Sequence, residues 1–500
     1  MGQIISAGSR RLLTQAASLS THIRDTLEPD AATRTCRRVV TLFVILAAVG
    51  MAPSAFGQQM SASTSSQPQT SSQPQITQTW PAPTHIFGDW GGFRKKLEDL
   101  GITYSLTYTS ESVVNTFGGL KTGADYAQQI QLGVNVDWEK VAGITGFSTH
   151  MNIINRAGRN ASADYIGDTV IQAQEIYGAG FGVGAKLVWL YGEEKLFNDR
   201  VNVTFGRFAP GTDFNASPLY CSFMTLTICG HDRALTANQG FEDWPMNVWG
   251  ARVRVRPIEQ TYVMVGVFQS QPFPTAAEPF TQGGHSGWDW TFKGTTGASF
   301  PVEFGYEPLI GKDKMPGHYK LGFNWDTSNY ADNFFDVNGQ PLALTGLPGA
   351  PHRGRAQFWA TADQMVVRNG PNPNDGLILL ATFVHDESDT TLFNNFVWAG
   401  VIDRGFWSAR PNDQFGFGFT YYDVSKKLTD TERIQAILGD PFAGGALGIQ
   451  QYAMVLEANY GIAAAPGLLI QPELEYFIRP GGTNAVRNAF LVGLKVQADF

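Results

Sequence analysis

From Ile102 onward the chain alternates. Ile102, Tyr104, Leu106 and Tyr108 are interleaved with Thr103, Ser105, Thr107 and Thr109, and Ile130, Leu132, Val134, Val136 and Trp138 with Gln129, Gln131, Asn135 and Asp137. The same period returns over Tyr319 to Trp325, Phe415 to Tyr421 and Leu468 to Tyr476. It closes in FLVGLKVQADF, where Phe490, Val492, Leu494, Val496 and Ala498 oppose Lys495, Gln497 and Asp499. Successive side chains of a strand point to opposite faces, so each segment presents one apolar and one largely polar face. About 16 such segments can be counted, near 102–114, 128–138, 146–154, 185–191, 200–207, 247–256, 261–269, 299–306, 317–326, 355–365, 376–385, 394–403, 414–423, 451–460, 468–477 and 488–500.

Their connections differ in length. Asn198-Asp199 and Pro257-Ile258-Glu259 are tight, whereas 208–246 and 270–298 are long and rich in Gly, Pro and Asn. Short turns at one rim and long loops at the other belong to a closed antiparallel barrel. In a soluble sandwich the apolar faces would pack on each other; in a membrane barrel they meet lipid while the polar faces line water. The polar faces carry Lys, Asp, Glu and Gln too densely for a dry core. Tyr108, Trp138, Trp325, Tyr421 and Tyr476 stand at strand ends, where interfacial girdles are found. The expected fold is all-β, a transmembrane antiparallel barrel of 16 strands, preceded by a short helix over 91–100 with Phe93, Leu97 and Leu100 on one side.

The first residues are of another kind. Arg34, Arg37 and Arg38 precede the apolar run VVTLFVILAAV, and Ala55-Phe56-Gly57 offers a small-x-small cleavage site, so 1–57 reads as a secretory signal peptide. Its apolar core of about 11 residues is short of the roughly 20 that span a bilayer. Residues 58–86, with SSQPQ written twice and little to bury, read as a disordered leader, and 87–500 as the barrel domain.

Composition agrees: 55 Gly, 12% aromatic and 16% charged residues suit strands and turns. Without 1–57, six arginines and three acids are gone, leaving 30 basic against 41 acidic groups, which speaks against nucleic acid as a partner. Cys221 and Cys229 remain, and an exported chain is expected to bond two nearby cysteines. A zinc site would want a CxxC or a second cysteine pair, and no metal or cofactor is expected. No GxSxG, HExxH or Walker sequence occurs. GAGFGVGA at 178–185 has Gly at every second position and reads as a bare strand face. Glu473 and Glu475 lie two apart on one strand face, roughly 7 Å, inside the window of an inverting glycosidase. Any E-x-E in a strand gives that spacing, so no enzyme activity is expected; the competing reading is an exported soluble β-rich protein that binds or cleaves carbohydrate.

GDWGGFRKKLEDLGITYSLTY from Gly88, KLFNDRVNVTFGRFAPGTDF, SPLYCSFMTLTICG, and WPMNVWGARVRVRP followed by YVMVGVF together resemble the OprB family of carbohydrate-selective porins of Gram-negative outer membranes. The resemblance implies a 16-stranded barrel passing glucose-like monosaccharides and small oligosaccharides by diffusion. Phe500, ending an alternating strand, is similar to the signal read by the barrel assembly machinery. Outer-membrane lipid is the expected surrounding, and monomer and homo-oligomer both stay open.

A selective sugar pore should offer bidentate donors, carboxylate acceptors and aromatic faces. Arg252, Arg254 and Arg256 share one strand face and form the leading candidate track, with ion pairing to the wall (Glu303, Glu307, Glu473, Glu475) as the competing reading. The segment from Arg207 to Arg233, with Asp213, Asp232 and the cysteines, is the expected constriction, a long loop stiffened by a bond. Trp244 could stack on a pyranose, and Glu473 and Glu475 could line the pore. Arg156 and Arg159 read as solvated loop charges or part of the mouth.

Overall fold

The structure is a computed structural model and describes residues 85–168, 170–176, 184–230, 232–271, 287–292 and 294–500. The expected signal peptide, nearly all of the leader and most of the 178–185 glycine stretch lie outside them.

The strands are β1 (Ile102–Gly119), β2 (Gly123–Asp137), β3 (Phe147–Gly158), β4 (Lys186–Leu196), β5 (Val201–Phe208), β6 (Val248–Val255), β7 (Thr261–Ser270), β8 (Gly297–Tyr306), the two-residue β9 (Leu309–Ile310), β10 (Met315–Asp336), β11 (Gly349–Arg368), β12 (Gly376–Asp386), β13 (Phe393–Arg404), β14 (Gln414–Val424), β15 (Tyr452–Ala465), β16 (Leu468–Ile478) and β17 (Arg487–Asp499). Each pairs antiparallel with its neighbour, and β17 returns to β1 through pairs such as Glu111↔Lys495. With β9 set aside as a short ribbon on β10, 16 strands close a barrel, which leaves no unpaired edge.

Side-chain direction follows the alternation. Leu494 and Phe417 are 40% and 42% exposed on the outer face, while their neighbour Lys495 is 4% exposed on the inner one. Ile130, Leu132, Val263, Val265, Phe304 and Leu321 continue the outer band. A contiguous apolar belt of this extent would be untenable in water and is what hydrocarbon requires.

Two elements differ from expectation. Trp138 opens a short helix, α2 (Trp138–Ala142), because the Asp137 carboxylate caps it by accepting from Glu139 N (3.0 Å) and Lys140 N (3.4 Å). Strands β10 and β11 run well past their alternating segments as a hairpin paired only to itself, through Asn329↔Arg353 to Asp336↔Gly349. The N-terminal helix is α1 (Phe93–Asp99).

The long connection between β5 and β6 is folded inside the barrel. It holds two short helices, α3 (Leu226–Cys229) and α4 (Arg233–Asn238), and buries Phe214, Phe223 and Phe241 against inward rings of the wall. Phe223 and Tyr220 meet Trp398 edge-on at 5.9 and 5.6 Å, and Phe241 meets Trp359 at 5.9 Å. Room for the loop comes from inward glycines. A methyl at Gly418 would lie 3.0 Å from Ile228 and 3.1 Å from Phe223, and one at Gly493 would lie 2.9 Å from Met224. Gly418 of β14 and Gly493 of β17 therefore mark where the loop leans on the wall.

Candidate functional site

The loop crosses the lumen on polar anchors. Asn215 N donates to Glu303 Oε2 (2.7 Å), and Asn215 Nδ2 to Asp232 Oδ2 (2.7 Å), which also accepts from Thr382 (2.9 Å). Glu457 of β15 accepts from the amides of Met224 (2.8 Å) and Thr225 (3.1 Å) and from the Thr225 hydroxyl. Lys495 of β17 donates to the carbonyls of Cys221 (3.2 Å) and Phe223 (3.1 Å). Asn238 bridges Asp386 and the Phe393 backbone (both 2.8 Å). Buried donors and acceptors left unmet would each cost about 1–3 kcal/mol, so these anchors fix one loop position. Cys221 and Cys229 are bonded to each other at the loop tip, which disposes of the zinc alternative.

A second segment, from the β3–β4 connection, packs beneath: Leu226 N donates to Gln172 O (2.9 Å) and Ile176 N to Glu111 Oε2 (2.9 Å).

The arginine ladder of β6 points inward as the alternation requires, but its members differ. Arg252 is held by Asp213 (Nε–Oδ2 2.7 Å) and Asn202 and is nearly covered. Among the described residues Arg254 pairs only with Asp199, at 3.5 Å, and stays half-buried. Arg256 pairs with Glu307 (2.8 Å) and lies 5.4 Å over the Tyr262 ring. Ion pairing is thus real for all three, though of the acids expected only Glu307 takes part; Asp199, Asp213 and, at 4.0 Å from Arg252, Glu193 do the rest.

Glu473 and Glu475 point inward on β16, and none of their four carboxylate oxygens meets a hydrogen-bond donor among the described residues. Glu475 faces Glu457 directly across the strand pair. β6 stands seven strands from β16 around the wall, so cations and acids sit on nearly opposite sides of the lumen.

Between them lies an aromatic group that sequence reasoning touched only through Trp244. Trp244 meets Trp189 edge-on at 5.1 Å and donates from Nε1 to Gln129 (3.3 Å). Tyr191 stacks on His150 at 4.8 Å, and His150 is fixed by Asn135 (2.8 Å) and Ser148 (2.9 Å). The spacing Trp189-x-Tyr191-x-Glu193 on one strand was the signal available.

Four expectations need correction. Glu473 and Glu475 face inward but do not line open pore: they are 3% and 1% exposed, with all four oxygens covered. Arg207 does not line the pore: on β5 it keeps the parity of Val203 and Phe205, its guanidinium bonds Asn247 Oδ1 (Nε, 2.8 Å), and the rings of Trp249 and Trp290 lie 5.6 and 6.0 Å away. It is a structural cation sealed at the loop-side rim. Arg156 is no solvated loop charge; it is buried inside, bonded to Gln129 (2.7 Å) and paired with Glu175. Asp232 is an anchor sealed between loop and wall, while Arg233, half-buried, donates to Thr236 (3.0 Å). Arg159, paired with Asp164 at 2.7 Å and largely exposed, does carry the loop role.

Within the loop, burial pushes the Glu242 carboxyl up to about 8, Lys186 opposing and Asp243 adding to the shift. Among the described residues one group, Asp332, His352 and Asp389, has metal-ligand spacing, at the long-loop rim. Lys427 already sits on both carboxylates, 2.8 Å from Asp389 and 3.5 Å from Asp332, and supplies the positive charge an ion would bring.

Residues 121–500 match the model of the carbohydrate-selective porin, OprB family. Porin B of Pseudomonas aeruginosa is 32% identical over 426 residues, covering 83% of this chain and 91% of that protein. A putative porin, QuiX, of Acinetobacter baylyi is 27% identical over 428 residues, covering 83% and 93%. The high-pH structure of Pseudomonas putida OprB superimposes with a TM-score of 0.76 at 31% identity, covering 84% of this chain and 99% of that one. The closed barrel thus has its counterpart in a solved relative, and the chain belongs to the OprB family of carbohydrate-selective porins, sugar channels of the Gram-negative outer membrane.

Proposed function

We propose that sugar passes between the anchored loop and the β3–β6 side of the wall, moving down its gradient without catalysis or cofactor. Arg254 and Arg256, still partly exposed beside the acids that pair with them, offer fork-shaped donors to hydroxyls. Trp189, Trp244 and Tyr191 offer flat faces to the C–H edges of a pyranose. Asp199 and Glu307, beside these arginines, supply acceptors. The observation that carries this reading is a row of partly exposed arginines near an aromatic group, in a lumen whose loop cannot shift without stranding buried polar groups. Binding must stay weak, since a site that holds its solute stops flux.

Processing and assembly belong to the same reading: removal of 1–57 on export, and recognition of Phe500 by the assembly machinery, supported by its place at the end of the lipid-facing row. Conductance of the purified protein in planar bilayers, titrated with a panel of neutral sugars, tests the proposal. Sugar-dependent reduction of ion current is expected, and equal insensitivity to every sugar would overturn it.

A further inference from the structure

Helix α1 is mounted the wrong way round for a soluble protein. Its one buried side chain is Arg94, which donates to the Tyr104 carbonyl (3.0 Å) and to Phe500 O (2.6 Å) and lies 4.4 Å over the Tyr104 ring. The apolar residues around it face away: Phe87 is 62% exposed, Trp90 45%, Phe93 51% and Leu100 62%. A helix that buries its arginine and exposes its aromatics in water would forgo the burial that normally holds such side chains.

Its position supplies the reason. Tyr104 and Phe500 belong to the outward, lipid-facing rows of β1 and of the chain's last residues, on either side of the seam where β17 meets β1. Trp90 packs edge-on against Tyr104 at 6.1 Å, Phe87 packs on Phe500 at 5.6 Å, and Ile86 N donates to Asp499 O (2.8 Å). The segment therefore continues the lipid-facing band outward at the short-turn rim, which in an outer-membrane barrel is the periplasmic one. Helix α2, tied to α1 by Lys140 Nζ donating to Glu98 O (3.2 Å), extends the surface with exposed Val141, and Ile144 follows it. Lys95 and Lys96 are exposed beside the rings.

We propose that residues 86–100 form an interfacial anchor lying in the periplasmic leaflet of the outer membrane. Phe87, Trp90, Phe93 and Leu100 enter the boundary between headgroups and acyl chains, the lysines reach phosphate, and Arg94 clamps the helix across the closing seam. Apolar side chains with basic neighbours on a short helix are the usual means of holding a segment in that plane, and continuity with an established lipid surface selects lipid over a soluble partner.

The test uses the exported chain in phospholipid vesicles, folded as shown by heat-dependent migration. Phe93→Cys and, separately, Leu100→Cys are labelled with a maleimide fluorophore, since Cys221 and Cys229 are bonded and do not react. Nitroxide lipids labelled near the headgroup should remove most of the emission at both positions while iodide removes little. A label at Thr103→Cys, on the water-facing parity of β1, should show the reverse. Strong iodide quenching at positions 93 and 100 with lipid nitroxides silent, or equal quenching by both, would overturn the proposal and leave the face to water or to a soluble periplasmic partner.

Discussion

Lys495 reaches from β17 to the carbonyl of Phe223, 3.1 Å away, and so ties the tip of the lumen loop to a strand some 270 residues later in the chain. Its second bond, to Cys221, and the three that Glu457 accepts from the loop make these two charges the clamp of the constriction. Hydrogen bonds to charged groups are worth roughly 1.5–3 kcal/mol each. Lys495→Met should release the tip while the barrel, closed by its own ladder, still forms. Single-channel recording should show larger or noisier conductance and weaker sugar block.

Arg254 is the ladder member with the least to lose. Its pair with Asp199 is 3.5 Å and partly exposed, a class of contact worth about 0–1 kcal/mol to folding. Arg254→Ala should leave the melting temperature nearly unchanged and weaken sugar block by roughly threefold to tenfold, the loss expected for one charged hydrogen bond to a solvated ligand. Unchanged block would remove Arg254 from the track. Arg252→Ala should behave differently: with Asp213 unpaired, both loop stability and block should fall.

How much of this was legible depended on the range of each signal. All 16 wall strands follow from a two-residue period, which is local, and the outward placement of Leu494 and Phe417 follows from it. The β10–β11 hairpin beyond the wall escaped because Tyr330, Asp332 and Asn333 do not alternate once neither face is greasy. Arg207 was misplaced although its parity with Val203 and Phe205 pointed outward; its charge argued for water, and no local pattern shows that Trp249 and Trp290 would cover it. Glu111 went unnoticed because only barrel closure brings it opposite Lys495, and Glu457 because no local pattern shows that the loop tip at Met224 and Thr225 would come to it. The face of α1 was misleading for a different reason: an apolar stripe is read as the side that packs on protein, and at a membrane the apolar side packs on solvent.

The corrected role of Arg207 carries its own prediction. Its hydrogen bonds to Asn247 hold the start of β6, and Asn247 in turn donates to the Leu187 carbonyl of β4 (2.6 Å). Arg207→Ala removes a charged hydrogen bond and two ring contacts at a sealed site, a cost of about 2–4 kcal/mol. The heat-dependent unfolding transition should shift downward while sugar block per folded channel is retained. A selective loss of block without loss of stability would return Arg207 to the pore.

Glu242 gives the loop a dependence on alkaline pH. Burial is the largest cause of its raised value of about 8, and Lys186, Asp243 and Arg233 are the charges that act on it. The folded loop holds this proton more tightly than the unfolded chain, whose carboxylates titrate near 4.3. The stabilisation by the neutral form is therefore complete below that range and is lost as pH rises through about 8. Above it, a charge appears on a carboxyl with one oxygen lacking any donor among the described residues. Open-channel noise should therefore rise between pH 7 and pH 9 in the native protein. Other groups titrate over the same interval, so the decisive quantity is the difference from Glu242→Gln, which keeps the shape and cannot ionise. The variant should stay quieter at pH 9 and match the native channel at pH 6, and identical pH profiles would show that Glu242 does not hold the loop.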